Sequence, residues 1–97
     1  MKQTADLMSK EQLCKEFQLC DKTIEQKLRG IEEEIGKGRY TEYDLIRNGR
    51  IKRCTYSAFF DYLKYEKRLK DKHLRKTVPP FDRDAIWECI WHMKEAI

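Results

Sequence analysis

Two groups of polar side chains in this sequence have the chemistry to bind a polyanion. The first group lies in the N-terminal third of the chain: Lys22, Thr23, Gln26, Lys27 and Arg29. The second flanks an Asn48-Gly49 dipeptide and has four cations with no acid between them: Arg47, Arg50, Lys52 and Arg53. Lysine and arginine neutralise phosphates, glutamine can pair with adenine, and arginine can pair with guanine. These residue types indicate DNA as the ligand, provided that the local structure presents them.

The first group lies in a segment with the pattern of two helices joined by a short turn. Ser9 and Gln12 form an S-x-x-Q capping box, which predicts a first helix from Ser9 to Phe17. Asp21 has the side chain to cap a second helix. That helix carries one apolar stripe and ends near Gly36; the stripe contains Ile24, Leu28, Ile31 and Ile35. Such a helix-turn-helix can place its second helix in the major groove of DNA.

Only the first half of the second helix suits a polyanion. Its cations come early, whereas Glu32, Glu33 and Glu34 follow in its second half. We interpret this acidic run as a solvated helix face. The groove-facing part is therefore expected to run from Lys22 to Arg29, although each of these side chains could also be an ordinary solvated residue.

The second group lies in a predicted β-hairpin. Asn48-Gly49 is favoured in two-residue type I′ turns, and the predicted strands are 43–47 and 50–54. Strand alternation places Arg50 and Lys52 on one face and Arg53 on the other. We therefore expect Arg50, Lys52 and Arg47 to contact DNA. The alternative is an edge strand whose charge only prevents aggregation.

The C-terminal half predicts two further helices with a break between them. Thr55 can cap a helix over 56–73, after which KDKHLRKTVPP loses apolar periodicity and predicts a basic linker. The sequence therefore divides into a domain over 1–76 and a linker with an amphipathic helix over 77–97. That last helix either folds back on the core or docks on another chain; its predicted protein-contact residues are Trp87, Ile90 and Trp91.

The order of these elements is that of a winged helix, so the predicted fold is mainly α with a small β-hairpin: a winged helix-turn-helix plus a C-terminal helix. CKEFQLCDKTIEQKL resembles winged helix-turn-helix proteins of the excisionase and MerR-like group, with Cys14 at the small position and Thr23-Ile24 opening the second helix. GRIKRCTYSAFFDYL resembles the wing strand and following helix of small phage and transposon excisionases. The resemblance covers about residues 8 to 65. The turn departs from the family pattern because Gln18 stands where glycine is usual.

This resemblance implies an architectural role in site-specific DNA recombination. Excisionases bind double-stranded DNA cooperatively beside an integrase site and contact the recombinase, which makes the helix with Trp87 and Trp91 a candidate contact surface. One alternative is a transcriptional or copy-number regulator of a phage or mobile element, which dimerises through the C-terminal helix on a palindromic operator. A second alternative is a protein-binding module with a purely structural helix-turn-helix.

The composition of the chain bears on which other classes of protein it could belong to. The 97 residues have a net charge of +4, with 40% hydrophobic and 39% charged residues, which is typical of one small folded domain. No run reaches the roughly 18 apolar residues that a membrane span needs, and the cysteines are too scattered for a disulfide framework. We expect a cytoplasmic location in a bacterial cell. The sequence predicts no catalytic residues, no metal site and no cofactor, because it lacks phosphate loops, paired nucleophiles and ligand spacings.

Overall fold

The first element of the fold is a short strand that the sequence did not predict. The computed structural model describes residues 7–48 and 51–95. In this part the chain forms strand β1 (Leu7–Ser9), helices α1 (Lys10–Phe17) and α2 (Asp21–Gly36), strands β2 (Leu45–Asn48) and β3 (Ile51–Thr55), and helices α3 (Tyr56–Lys70) and α4 (Arg83–Glu95). The predicted class, mainly α with a small β component, is confirmed. No helix in the described ranges is long and apolar enough to cross a membrane.

The predicted capping box forms at the start of α1. The Gln12 N–H donates to Ser9 Oγ at 3.2 Å, and the Ser9 N–H donates to Gln12 Oε1 at 2.8 Å. Helix α1 ends at Phe17, and the following residue, Gln18, has a left-handed φ of 55°, a conformation in which glycine is usual. The break between α1 and α2 is therefore made by a backbone turn at Gln18.

The predicted cap at the start of α2 is wrong by one position. Cys20 is the N-cap residue and makes no side-chain capping bond, while Asp21 is the first residue of the helix. Asp21 instead faces Lys10, with 3.0 Å between Oδ2 and Nζ. The end of α2 at Gly36 agrees with the prediction.

The strands form an antiparallel sheet in the order β1-β3-β2. Strand β2 starts two residues later than predicted, because Glu42–Asp44 forms a 3-10 turn. Gly49 of the predicted turn and Arg50 of the predicted second strand lie outside the described residues. Strand β3 is central in this sheet, so the charges of Lys52 and Arg53 do not serve to protect an open edge.

Helix α3 begins where predicted and ends earlier. Thr55 caps it by accepting a hydrogen bond from the Ala58 N–H, and it ends at Lys70 instead of His73. Asp71 terminates it in extended conformation, and its Oδ1 accepts hydrogen bonds from the N–H groups of His73 and Leu74. The basic linker then contains a 3-10 turn, Leu74–Thr77.

The hydrophobic core lies between α1, α2, α3 and the sheet. It contains a contiguous set of buried side chains, among them Leu13, Ile24, Leu28, Ile31, Cys54, Phe59, Tyr62 and Leu69. Helix α4 folds back on α3, and its Ile86 and Ile90 are buried. Of the two outcomes that the sequence left open for this helix, the structure has the intramolecular one.

Buried carboxylates attach the C-terminal segment to the core. Asp44, which is 0% exposed, accepts hydrogen bonds from Thr55 Oγ1 at 2.9 Å and from Arg83 Nη2 at 2.7 Å. Burial by itself would raise the pKa of Asp44, but hydrogen bonds to the ionised form outweigh burial and lower it. The first residue of α4 is thereby linked to the turn before β2 and to the start of α3.

A second carboxylate holds the segment before α4. Asp61 accepts a bidentate pair of hydrogen bonds from Arg39, and the same guanidinium donates to the carbonyl oxygen of Pro79 at 2.7 Å. The Tyr40 hydroxyl donates to the same carboxylate at 2.6 Å. A buried ion pair of this kind is costly to break, because loss of one partner leaves an uncompensated charge.

Helix α2 packs tightly against α3 at Gly30. A Cβ at this position would lie 1.9 Å from the hydroxyl oxygen of Tyr62, a side chain that is 2% exposed. We expect Gly30→Ala to destabilise the protein by about 1–3 kcal/mol, since Tyr62 has little room to move. Gly36→Ala is the matched control: nothing lies within 4 Å of its Cβ position, so helix propensity should keep or raise stability. Urea unfolding measures both; equal effects of the two substitutions would contradict the close packing.

Candidate nucleic-acid interface

The outer face of α2 carries three of its five side chains that were predicted to contact DNA. Lys22, Gln26 and Arg29 are all exposed, and their spacings of four and three residues place them on one stripe. Thr23 is half-buried, and its Oγ1 lies 3.2 Å from the Cys20 sulfur. The structure thus brings three of the predicted residues together on a solvent-facing stripe and turns Thr23 towards the start of the helix.

One flank of α2 faces the hairpin and makes ion pairs with it. Glu25 accepts hydrogen bonds from both Lys10, at 2.7 Å, and Lys52. About two helical turns further on, Glu32 pairs with Arg47, with 2.6 Å between Oε1 and Nη1. The two hairpin cations Arg47 and Lys52 are therefore already paired with carboxylates of the same chain.

The hairpin register explains why these acids are needed. Arg47 lies directly opposite Lys52 across the β2–β3 pair. Like charges at directly opposite positions repel and destabilise a sheet. Glu25 and Glu32 approach the two cations from α2 and offset this repulsion, so the hairpin and the helix stabilise each other electrostatically.

Glu25 is held in its ionised form by its neighbours. Hydrogen bonds from Lys10 and then Lys52 lower the pKa of Glu25 to about 2, against an opposing effect of partial burial. Glu25 is thus a central anion between α1, α2 and β3 at every pH near neutrality.

The other flank of α2 faces α3. Lys27, predicted to contact DNA, donates to Glu66 at 2.5 Å, and Lys70 lies 3.0 Å from the other oxygen of that carboxylate. Burial opposes ionisation of Glu66, but the two ammonium groups outweigh it and lower its pKa. Lys27 is therefore engaged in an interhelical ion pair and is not on the outer stripe.

The interpretation of the acidic run as a solvated face is wrong for one of its three residues. Glu34 is 4% exposed, and its two oxygens accept hydrogen bonds from Arg75 at 2.6 and 2.9 Å. Glu32 and Glu33 are exposed, as expected. Sequence reasoning missed the pairing partners of Glu32 and Glu34 because they lie 15 and 41 positions away in the chain.

The predicted protein-contact residues on α4 fall into two environments. Trp87 stacks on Tyr56 with 5.7 Å between ring centroids, and Ile90 is 2% exposed. Ile90 belongs to the protein's own core and does not form part of an exposed contact surface, because α4 packs this face on α3. Trp91 is 65% exposed and remains available.

The tip of the β2–β3 hairpin lies outside the described residues. Arg50, one of the predicted DNA contacts, is outside the described residues. Arg53 is exposed on the opposite side of β3 from Lys52, as strand alternation predicts. Its cross-strand neighbours are Ile46 on β2 and Ser9 on β1.

Comparisons with known proteins identify no relative: no family model, no curated protein and no solved structure matches this chain. Within the described ranges, His, Cys, Asp and Glu side chains form no group of three that could hold a metal ion. The assignment of a function therefore depends on the geometry of α2 and its neighbours.

The depressed pKa of Glu25 predicts acid sensitivity. Its carboxylate contributes stability that is fully present above its ordinary pKa of 4.5 and is lost as the pH falls towards 2. We expect Glu25→Gln to lower the free energy of unfolding near pH 6 and to have a much smaller effect near pH 2. Urea titrations at several pH values test this, with Glu88→Gln on the exposed side of α4 as the control. A pH-independent effect of Glu25→Gln would contradict the proposed ion-pair cluster.

Proposed function

We propose that this protein is a sequence-specific binder of double-stranded DNA with a winged helix-turn-helix architecture. The order of elements supports the proposal: α1 and α2 meet at a tight turn, the β2–β3 hairpin follows, and α3 packs behind α2. In this arrangement α2 is the helix that enters the major groove and the hairpin is the wing.

The observation that carries the proposal is the contrast between the faces of α2. Ion pairs connect both flanks of α2 to neighbouring elements. On one flank its acids pair with Lys52 and Arg47 of the hairpin, and on the other Lys27 pairs with Glu66 of α3. On the outer stripe, by contrast, neither Lys22 nor Arg29 has an acidic partner among the described residues. A helix fixed on both flanks with uncompensated donors pointing outward is preorganised for a ligand that accepts hydrogen bonds and carries negative charge.

The side chains on this stripe have different roles in DNA recognition. Gln26 lies between the two cations and can pair with the N6 and N7 atoms of adenine. Arg29 can pair with guanine or bind a phosphate. Lys22 lies at the start of the helix, where it can contact the phosphate backbone of DNA. The stripe therefore offers sequence discrimination at its centre and backbone contacts at its ends.

The hairpin would contribute to DNA binding by exchanging its ion pairs with α2 for ion pairs with phosphates. Lys52 and Arg47 must leave Glu25 and Glu32, or share with them, in order to contact phosphates. The net gain in binding free energy is smaller than for a free cation, because each ion pair with DNA replaces an ion pair within the protein. Arg53 is exposed without this restriction, and it is a further candidate for a backbone contact.

We further propose an architectural role in recombination, as in the excisionases that the sequence resembles. The exposed Trp91 on α4 is the candidate contact for a recombinase or for a neighbouring copy on DNA. The regulator alternative uses the same surface for a stable dimer. In analytical ultracentrifugation we expect a monomer in solution that binds adjacent DNA sites cooperatively; a symmetric dimer that Trp91→Ala dissociates would favour the regulator instead.

The proposed α2 interface predicts a specific decrease in affinity. We expect the double substitution Lys22→Ala and Arg29→Ala to weaken binding to a random duplex and to flatten its salt dependence, by about 0.9 in log–log slope for each phosphate that is no longer neutralised. Lys15→Ala with Lys37→Ala is the matched control, since these are also exposed cations but lie outside the stripe. Fluorescence anisotropy between about 50 and 200 mM salt measures both.

A substitution at Gln26 should act differently from the charge substitutions. Gln26→Ala is expected to relax preference at one base position, at a cost of about 1–3 kcal/mol for the preferred base. Site selection from a random library followed by sequencing measures this preference. Absence of any binding at the lowest salt by the unaltered protein would rule out the DNA-binding function as a whole.

A further inference from the structure

Positive charge is concentrated at the end of α3 and in the segment after it. Between Lys64 and Lys76 the sequence contains seven Lys or Arg and two Asp or Glu, a net charge of +5 in a chain whose total is +4. Helix α2, which carries the proposed reading stripe, has three Lys or Arg and five Asp or Glu. The positive charge of the 64–76 segment therefore lies outside the proposed recognition helix, which itself has more acids than bases.

Both acids in this segment are already engaged. Glu66 pairs with Lys27 and Lys70, and Asp71 accepts hydrogen bonds from two backbone N–H groups. Arg75 pairs with Glu34 on α2. Five cations of the segment are left without a carboxylate partner among the described residues, and all five are exposed: Lys64, Lys67, Arg68, Lys72 and Lys76. We call these five residues the C-terminal basic surface.

The C-terminal basic surface lies away from the core side of α3. Phe59, Tyr62 and Leu69 face the core, whereas Lys64 and Lys67 lie on the opposite side of the helix. Arg68 extends over the Tyr65 ring and donates to Thr77 Oγ1 at 3.2 Å, which fixes its position beside the linker. Since α3 rises about 1.5 Å per residue, Lys67 is roughly 18 Å along the helix from the base of the hairpin.

Helix stability accounts for only part of this charge. Cations in the last turn of a helix interact favourably with its dipole, which applies to Lys67 and Arg68. The effect falls off within that turn. Lys64 lies earlier, and Lys72 and Lys76 lie beyond the end of α3, so the dipole of α3 does not account for these three cations.

We propose that the C-terminal basic surface is a second DNA-binding surface, which contacts the phosphate backbone independently of sequence. Its residues belong to α3 and the segment after it, not to α2, and none of them is a glutamine or asparagine that could read bases. Its ligand is a stretch of duplex backbone beyond that contacted by α2 and the wing. The proposal extends the proposed function but does not require that α2 reads DNA.

The same surface is poorly suited to an anionic membrane. Binding at a bilayer interface uses an apolar helix face inserted beside the cations. The apolar face of α3 is already buried in the core, and the exposed large apolar side chain within this segment is Leu74. Duplex DNA needs only the cations, since each phosphate contact gains free energy by releasing condensed counterions.

Salt-dependent binding tests the proposal with two pairs of substitutions. Lys67→Gln with Lys72→Gln removes two cations from the surface, and Lys15→Gln with Lys37→Gln removes two exposed cations elsewhere. On a random duplex of about 30 base pairs, the first pair is expected to lower affinity roughly tenfold or more near 0.1 M salt and to flatten the log–log salt slope by about 1.8. The control pair should change affinity less than twofold. Lys67→Arg with Lys72→Arg should restore the slope, because charge and not lysine geometry is required.

The outcomes separate this proposal from that for α2. Equal decreases in affinity in the two glutamine pairs, or none, overturn the second surface, whereas the effect of Lys22→Ala with Arg29→Ala reports on α2 alone. If only the Lys67 and Lys72 pair of substitutions lowers the affinity for DNA, the second surface is supported and the proposal that α2 reads DNA is contradicted. Vesicles of phosphatidylserine and phosphatidylcholine provide the last comparison: binding to them as tight as to duplex DNA at the same salt would overturn the assignment to DNA.

Discussion

The position of α2 depends on carboxylates that face two sets of cations. Arg47 and Lys52 lie directly opposite each other in the hairpin, and this pair is unfavourable until Glu25 and Glu32 of α2 approach it. On the other flank, Glu34 forms an ion pair with Arg75 of the linker, and Lys27 forms one with Glu66 of α3. Because both flanks are fixed in this way, rotation of α2 about its axis would break several ion pairs at once. The orientation of the outer stripe follows from that constraint.

Packing adds a second constraint on the same helix. Gly30 lets α2 approach α3 so closely that the Tyr62 hydroxyl occupies the space of a side chain. The buried stripe of Ile24, Leu28 and Ile31 and the ion pairs on both flanks fix the rotation of α2, and Gly30 fixes how closely it approaches α3. Together they leave Lys22, Gln26 and Arg29 facing solvent, which is the geometry that the proposed function requires.

The C-terminal segment is attached by the same kind of interaction. Arg83 reaches buried Asp44, and Arg39 joins buried Asp61 to the backbone at Pro79. In the described part of the chain, no buried side-chain nitrogen or oxygen lacks a hydrogen-bond partner. Buried carboxylates that are fully hydrogen-bonded can hold a linker in place despite its lack of apolar periodicity. The part of the C-terminal basic surface that follows α3, Lys72 and Lys76, thus lies in a segment that is attached to the core.

Features that depend on local rules could be predicted from the amino-acid sequence. Capping at Ser9 and Thr55, the apolar stripe of α2, the strands on either side of the Asn48-Gly49 dipeptide and the helical period after Pro80 all involve residues a few positions apart, and these elements agree with the structure. Which charged residues are free could not be predicted, because it depends on the packing of distant elements. Strand β1, the pairing of Glu25 with Lys52 and of Glu34 with Arg75, and the burial of Ile90 each join positions far apart in the chain. Periodicity places a side chain on a face of its helix or strand, but only the tertiary fold determines whether an opposite charge meets it there.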